Sequence, residues 1–351
     1  MDRYDKLTAL FKETKKSGKK VAIFSHSNPD PDSIASAAAI RLLARHFGLE
    51  ADIFFRGKIL HPQNKVLVSV LNLGFKPRQM SKFKRDDYDI IIFTDVAILK
   101  NQNGGYIDLE PDIIFDHHDD RPSKKIKFHD VRKIGSVSTI LTEYLKNFSI
   151  LKKGDKTHSR VATALFWGIK IDTNDLVSED TTPKDHEALK YLNNFVDTKA
   201  SEAINNYPKP DYFYKCEKMA EAHRIIKGGC VVVGLGHLTL EQSPAISYIA
   251  DRELLRKGIA ISFVIAVVGD KILQVSFRSR DINLLYGTRL VSSVFNLKNF
   301  GVRRGVGGGK IPLKFFYKNY KEGKKINWDK LFSEVSGKIL RARRTLRVLR
   351  T

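Results

Sequence analysis

The sequence predicts an α/β protein with two domains, in which a mostly parallel sheet covered by helices precedes a smaller α/β domain. The chain has 351 residues, which suits two domains at roughly 150 residues each. Apolar β-branched runs alternate with helical patterns in the N-terminal half, and fully apolar strands are typical of parallel sheets buried by helices. We place the first domain at 1–200, a linker at 201–212 and the second domain at 213–351.

Four strands are predicted in the N-terminal domain, because each is a short apolar run that ends at a polar cluster. They lie at 21–26, 51–55, 88–95 and 112–118. The intervening and following segments have helical periodicity, with Ser or Thr caps and a proline near one first turn. These helices are predicted at 33–48, 64–74, 135–148, 158–173 and 183–195.

A polar stretch that bears two prolines, Asn205 to Tyr212, marks the linker. Beyond it the helical patterns lie at 213–226, 245–257 and 288–297, and the strands at 230–236, 258–269 and 271–280. The glycine cluster GVGGGK, 305–310, is interpreted as a loop. The end of the chain, 338–350, has a basic helical pattern.

Composition narrows the possible classes of protein. Lys and Arg number 61 against 39 Asp and Glu, a net charge of +22, which favours polyanionic partners such as nucleic acid. Two cysteines exclude a disulfide scaffold and a cysteine-rich zinc fold. The sequence has neither a signal-peptide pattern nor an apolar run of the ~20 residues that a membrane helix needs. We therefore expect a soluble, cytoplasmic protein without a membrane partner.

Acidic and histidine side chains follow several of the predicted elements. They are His26, Asp30 and Asp32; Asp95; Asp116, His117 and His118; and Asp172. Because the carboxyl ends of parallel strands share one edge of the sheet, we expect these clusters to converge in one crevice.

Crowded carboxylates repel one another unless cations lie between them. Asp and His ligands without thiolates suit Mn²⁺ or Mg²⁺. One bridging Asp would hold two ions ~3.5–4 Å apart, an arrangement suited to phosphate ester hydrolysis. The alternative is that the strand-end Asp residues only cap helices or close turns, and the residues by themselves leave both interpretations open.

The segments HSNPDPDSIASA, IIIFTD, FDHH and GIKIDTND, in this order, resemble the four motifs of the DHH phosphoesterase superfamily. The later FRSR and GVGGGK resemble the DHH-associated C-terminal domain, although Lys310 stands where relatives usually carry histidine. The match is most similar to the nanoRNase/oligoribonuclease type. That resemblance implies cleavage of short oligonucleotides to nucleoside monophosphates, dephosphorylation of 3′-phosphoadenosine 5′-phosphate, and two Mn²⁺ ions, with Mg²⁺ as the substitute.

The resemblance also implies roles for the clustered residues. His26 and Asp30 would hold the first metal, Asp32, His117 and Asp172 the second, and Asp95 would bridge them. His118 would face the substrate phosphate, and Asp116 would orient His117.

In the second domain the resemblance implies a substrate-binding set. Its members are Arg278, Arg280, Gly307, Gly308, Gly309 and Lys310, with Arg303 and Arg304 as further candidates. Consecutive glycines let backbone N–H groups approach an anion closely. Arg278 and Arg280 are two residues apart on a predicted strand, so we expect both side chains to point to the same face. The alternatives are a plain flexible loop and ordinary solvated charge.

Other functions stay open. A soluble cyclic di-AMP or linear diadenylate phosphodiesterase would have the same layout, whereas an inorganic pyrophosphatase would lack the C-terminal motifs. A nucleic-acid-binding protein with a vestigial site is the alternative of another class, and the net charge favours it. The basic tail would then contact polymer rather than form a solvated helix. An oligomer is possible, and the sequence does not define its size.

Overall fold

The computed structural model describes residues 2–18, 20–55, 57–73, 83–96, 109–118, 125–281, 283–295, 300–303, 305–317 and 326–348. The chain forms two compact units, Met1–Pro208 and Lys209–Thr351. Their boundary falls inside the predicted linker, but much of that stretch is helical, because one helix ends at Asn205 and the next begins at Asp211.

The first unit contains a five-stranded sheet of order β2-β1-β3-β4-β5. All neighbouring strands are parallel, which confirms the predicted fold class. The strands are β1 (Lys20–Phe24), β2 (Ala51–Phe54), β3 (Tyr88–Thr94), β4 (Ile113–Asp116) and β5 (Phe128–Val131). The edge strand β5 was not predicted, because its four residues, FHDV, place two polar residues between two apolar ones and so form neither an apolar run nor an alternating pattern.

Seven helices accompany this sheet in the described residues. They are α1 (Arg3–Ser17), α2 (Pro31–His46), α3 (Pro62–Leu71), α4 (Val137–Asn147), α5 (Lys156–Asp172), α6 (Pro183–Leu192) and α7 (Thr198–Asn205). The large core includes side chains of all seven helices, and Val21 and Ile23 of β1 contribute to it. Ala22 and Phe24 point to the opposite face, whose described apolar cluster includes no helical residue. Strand alternation therefore separates one helix-covered face from one aromatic face.

The helix ends follow the local sequence. Asp30 caps α2 by accepting the N–H of Ser33, and Ser136 caps α4 by accepting the N–H of Thr139. Helix α3 ends at Leu71, three residues before the predicted stop, since Asn72 adopts a left-handed φ of 43°. The predicted stop, Gly74, lies outside the described residues.

The second unit contains a six-stranded mixed sheet of order β10-β11-β9-β8-β7-β6, in which only β7 and β8 are parallel. The strands are β6 (Arg224–Lys227), β7 (Cys230–Leu238), β8 (Ile261–Val268), β9 (Ile272–Ser279), β10 (Phe300–Arg303) and β11 (Val306–Pro312). The helices are α8 (Asp211–Ala222), α9 (Pro244–Leu254), α10 (Leu284–Ser292) and α11 (Trp328–Val348).

Two local predictions in this unit were wrong. The glycine cluster is not a loop, because 306–312 pairs as β11 with both β9 and β10. The helix predicted to end at Ile226 ends at Ala222, and Ile226 belongs to β6. The basic helical pattern predicted at 338–350 is confirmed for 338–348, and the helix begins ten residues earlier, at Trp328. No helix among the described residues is long and apolar enough to cross a membrane.

Candidate metal centre

The candidate site lies where the strand order of the parallel sheet reverses. Strand β2 pairs on one side of β1 and β3 on the other, and ligands of open α/β sheets bind at the carboxyl ends of strands beside such a reversal. His26 lies just past the end of β1, Asp95 directly follows β3, and Asp116 is the last residue of β4.

One group of three ligand residues gathers at the end of β1. His26, Asp30 and Asp95 each offer an atom within 4.8 Å of the others. His26 Nε2 lies 3.3 Å from Asp30 Oδ2 and 3.6 Å from Asp95 Oδ2. These three residues could hold one cation.

A second group consists of Asp32, His117 and Asp172, again within 4.8 Å. His117 Nε2 lies 3.5 Å from Asp172 Oδ2 and 3.6 Å from Asp95 Oδ1. Asp95 thus presents one oxygen to each group, the geometry expected of a bridging carboxylate. The two trios match the division that the family resemblance implied.

Backbone carbonyls orient both imidazoles. Nδ1 of His26 lies 2.9 Å from the carbonyl oxygen of Ser27, and Nδ1 of His117 lies 3.1 Å from that of Ile134. A carbonyl can only accept, so both Nδ1 atoms carry a proton, and Nε2, the atom that faces the carboxylates, is the nitrogen that could bind a cation once it has given up its own proton. This is the tautomer that a metal ligand needs.

The turn that presents Asp95 has a strained backbone and is fixed by several hydrogen bonds. Asp95 has a φ of 54°, in the left-handed region that costs most residues energy. Its N–H donates to the carbonyl of Phe115 at 3.0 Å. The hydroxyl of Ser33 donates to Asp95 Oδ2, while the N–H of Ser33 donates to Asp30 Oδ1. Ser33 was missed in the sequence analysis, since a serine after an acidic motif has no distinctive signal.

The carboxylate of Asp32 contacts the start of α4 in addition to its place in the second group. Its carboxylate is fully buried and accepts the N–H groups of Val137 at 2.8 Å and Ser138 at 2.7 Å, at the start of α4. Each oxygen keeps a second lone pair, so the helix contact and the ligand role are compatible. Gly168 of α5 packs directly against this corner, because a Cβ there would lie 2.3 Å from Ser138 Oγ.

The expected role of Asp116 requires a correction. Its Oδ1 accepts from Nδ1 of His118 at 2.7 Å and from the backbone N–H of His117 at 2.8 Å. The carboxylate therefore orients the ring of His118, and the predicted contact with the ring of His117 was wrong. The ring of His117 is oriented instead by the backbone carbonyl of Ile134, which lies 3.1 Å from Nδ1 of His117. His118 also has an atom within 4.8 Å of ligand atoms of Asp95 and His117.

The electrostatics of the cluster fit a bound cation. Burial, followed by repulsion from Asp32 and Asp30, raises the pKa of Asp172 well above its usual value. Burial and then Asp95 raise the pKa of Asp32 to about 6. Burial alone would lower the pKa of His26, but Asp30 and Asp95 raise it to about 10. Without a cation, the cluster holds protons to offset its negative charge, and the donor set of carboxylate oxygen and imidazole nitrogen suits manganese or magnesium.

The predicted arginines of the second unit already have partners. Arg278 Nε donates to Asp251 at 2.5 Å. Arg280 lies beyond the end of β9 and donates to the carbonyls of Ile259 and Leu254 at 3.0 and 2.8 Å. The expected alternation of both arginines on one strand was therefore wrong. Arg304 lies outside the described residues.

The glycine strand has two different faces. Gly307 points inward, since its Cβ would lie 3.2 Å from Phe277 Cδ1, and Gly309 is buried on the same side. Gly308 and Lys310 are exposed. Because Val306 pairs with Arg278 in the β9–β11 ladder, the exposed positions of β11 share a face with Arg278.

Comparison with known proteins identifies the first domain. Residues 20–169 match the model of the DHH family, N-terminal domain, which confirms the superfamily resemblance for this part of the chain. The match ends before the second unit, so the DHH-associated domain and the nanoRNase type stay predictions.

An uncharacterized protein of Methanocaldococcus jannaschii is 33% identical over 300 residues, covering 84% of this chain and 58% of the relative. A probable manganese-dependent inorganic pyrophosphatase of Streptococcus pyogenes is 26% identical over 177 residues, covering 49% of this chain and 54% of the relative. The chain thus spans little more than half the length of these relatives.

The crystal structure of an exopolyphosphatase-related protein from Bacteroides fragilis has a TM-score of 0.70 at 14% identity, covering 98% of this chain and 97% of that chain. At this identity the likeness concerns the fold.

Proposed function

We propose that this chain, whose residues 20–169 form a DHH family domain, is a dimetal phosphoesterase that hydrolyses short oligonucleotides to nucleoside monophosphates. One observation carries the proposal. Asp95 turns one oxygen to the His26 and Asp30 pair and the other to His117. Two cation positions that share a carboxylate suit phosphoryl chemistry better than a single structural ion does.

In this proposal His26, Asp30 and Asp95 bind one Mn²⁺, and Asp32, His117 and Asp172 bind the other. When bound, the two cations would activate a water molecule and neutralise the charge that develops on the phosphoryl oxygens. Ser33 keeps Asp95 and Asp30 in register through its hydroxyl and its N–H. The left-handed turn at Asp95 fixes where the shared carboxylate points.

His118 acts on the substrate phosphate. Asp116 accepts the Nδ1 proton of His118 at 2.7 Å. Burial alone would raise the pKa of Asp116, but the hydrogen bond from His118 and the nearby imidazoles of His118 and His117 lower it. Because Nδ1 of His118 donates to Asp116, Nε2 is the ring nitrogen left to contact a phosphate oxygen of the substrate.

The preference for oligonucleotides rests on the surplus of positive charge and on the exposed face of β11. Lys310 supplies a cation, and the missing side chain at Gly308 leaves room beside it. The same features suit 3′-phosphoadenosine 5′-phosphate as a second substrate. Hydrolysis of inorganic pyrophosphate is the second candidate function, because the similarity to a probable pyrophosphatase covers half of this chain.

The test is a substrate panel with Mn²⁺: a five-nucleotide RNA, linear and cyclic diadenylate, 3′-phosphoadenosine 5′-phosphate and pyrophosphate. We expect release of nucleoside monophosphates from the RNA, and loss of that activity in Asp95→Asn. Asparagine tolerates the left-handed φ at this position, so the variant removes a ligand charge without distorting the turn. Asp180→Asn, at an exposed carboxylate of the same unit, is the matched control.

Each result of the panel has a definite meaning. Turnover of pyrophosphate alone would show that the proposed substrate class is wrong. Full activity in Asp95→Asn would rule out the bridging role. RNA that is bound but not cleaved by the wild type would favour the vestigial-site alternative.

A further inference from the structure

Positive charge is distributed unequally between the two units. The sequence of the first unit, 1–208, contains 33 Lys and Arg against 28 Asp and Glu, whereas the second unit, 209–351, contains 28 against 11. The first unit is nearly balanced, and the second carries most of the positive charge of the chain. A polyanion that binds through charge alone would therefore be attracted to the second unit.

Among the described residues of this unit, helix α11 presents a row of positive charge to solvent. Four exposed cations lie along one side of the helix, and we call them the basic face. They are Lys330, Lys338, Arg341 and Arg344. The opposite side is buried in the core of the unit through Leu331, Val335 and Ile339. Arg343 is not part of the basic face, because its guanidinium lies over the ring of Tyr286 at 5.6 Å.

The basic face has few acidic neighbours. Lys338 pairs with Glu334 at 2.7 Å. Neither Arg341 nor Arg344 forms an ion pair within the part of the chain that the structure describes. Helix α8 of the same unit differs, since Asp211, Glu217 and Glu221 are interspersed among its lysines. The helix dipole favours cations only in the last turn, so it does not explain Lys330 in the first.

We infer that the basic face of α11 binds the phosphate backbone of single-stranded RNA. Lys330 and Arg344 are separated by about 21 Å at 1.5 Å per residue, which is enough to follow several consecutive phosphates of an extended strand. A membrane surface fits less well, because an interfacial helix inserts its apolar side and that side of α11 is already packed. The binding is independent of hydrolysis and would retain RNA longer than the proposed substrates.

The experiment measures the affinity of a fluorescent RNA of about 20 nucleotides as a function of salt. Asp95→Asn is the background, so that any nuclease activity does not consume the probe. The test variant adds Arg341→Gln and Arg344→Gln. The control adds Lys215→Gln and Lys218→Gln, which remove two exposed charges from α8.

Each phosphate contact contributes about 0.7 to the slope of log affinity against log salt for a single strand. The test variant lacks two such contacts, so its slope should be smaller by about 1.4. Between about 50 and 200 mM salt, the factor by which its affinity falls should be about sevenfold smaller than the factor for its parent. The control should keep the parental slope. Circular dichroism should show that α11 remains helical.

An unchanged slope in the arginine variant, or an equal loss in the α8 control, would overturn the inference. So would preferential binding of inorganic polyphosphate or of vesicles that contain anionic lipid. The outcome is separable from the proposed function, because hydrolysis of the short RNA by the arginine variant in an otherwise wild-type chain should stay normal. If the wild type hydrolysed none of the panel, the salt measurement would still decide this point.

Discussion

Replacing Gly168 by alanine should disturb the packing of α5 against the N-terminal end of α2, which carries Asp32. A Cβ at this position would lie 2.3 Å from Ser138 Oγ and 3.2 Å from Cα and Oδ1 of Asp32. Real Cβ atoms essentially never come closer than 3.0 Å. Ser138 and Asp32 are both fully buried, so the missing distance of about 0.7 Å, 3.0 minus 2.3, must come from movement in a close-packed interior.

The magnitude follows from two opposing effects. Alanine in a helix interior gains about 1 kcal/mol over glycine, and overpacking a buried site costs about 1–3 kcal/mol. Gly337→Ala in α11 is the matched control, because its Cβ would lie 3.4 Å from its nearest neighbour, the end of the flexible Arg341 side chain. Both variants gain the same helix propensity. Relative to the wild-type unit in which each lies, the free energy of unfolding should therefore be lower for Gly168→Ala than for Gly337→Ala by about 1–3 kcal/mol.

The chain offers a separate fluorescent reporter for each unit. Of its two tryptophans, Trp167 lies in α5 and Trp328 in α11. Denaturant unfolding of the metal-free protein in Trp328→Phe and Trp167→Phe backgrounds therefore follows the two units individually. Manganese binding by calorimetry is the second measurement.

Asp172 ends α5 one turn after Gly168, so a displaced α5 should also weaken the affinity for manganese. The reasoning would be refuted if the two alanine variants differed by less than about 0.5 kcal/mol, the usual range for substitutions outside special sites, and manganese affinity were unchanged.

Two further predictions concern single side chains. Asp116→Asn should lower kcat about 10–100-fold with manganese affinity near that of the wild type, since its carboxylate orients the ring of His118 and contacts His117 only through the backbone N–H; an equal loss of manganese affinity in calorimetry would contradict this. Burial lowers the pKa of His61 to about 4, below its unfolded value near 6.5, so the unfolded state takes up the proton first and the wild type should lose up to about 3 kcal/mol as pH falls from about 6.5 to about 4. His61→Phe should lack this contribution, and parallel pH profiles of the two proteins in denaturant unfolding would disprove the assignment.

The ligand trios could be predicted because their members are fixed to strand ends by short local patterns. Asp95 follows four consecutive apolar residues and a threonine, and a parallel sheet brings such ends together whatever the length of the intervening helices. The family resemblance divided them between two positions, and the structure brings the same groups within ligand distance.

Contacts that depend on the path of a distant loop could not be predicted. The carbonyl of Ile134 reaches His117 only because the turn before α4 passes beside β4, and no local pattern encodes that approach. The close contact of Gly168 with Ser138 and Asp32 could not be predicted either, because the sequence does not show which helix packs against this glycine.

The glycine cluster of β11 failed as a loop prediction for another reason. Glycine has low strand propensity, yet a Cβ at Gly307 would lie 3.1 Å from Phe300 Cε1 and 3.2 Å from Phe277 Cδ1, so a side chain there would require these rings to shift. Packing against aromatic rings thus overrides local preference. In β6 the pair Ile225 and Ile226 continued a helical pattern, and the edge pairing with Val231 and Val232 decided the outcome.

The two oxygens of the Asp30 carboxylate have different partners, and this has a consequence for how the proposed metal centre would lose and regain its cations. Oδ1 accepts the N–H of Ser33 at the start of α2, while Oδ2 faces His26. Chelation of a cation bound in the proposed centre would affect only Oδ2, so the hydrogen bond of Oδ1 would continue to cap the helix. Reconstitution should then proceed without a refolding phase, because little chain entropy has to be surrendered when an ion returns.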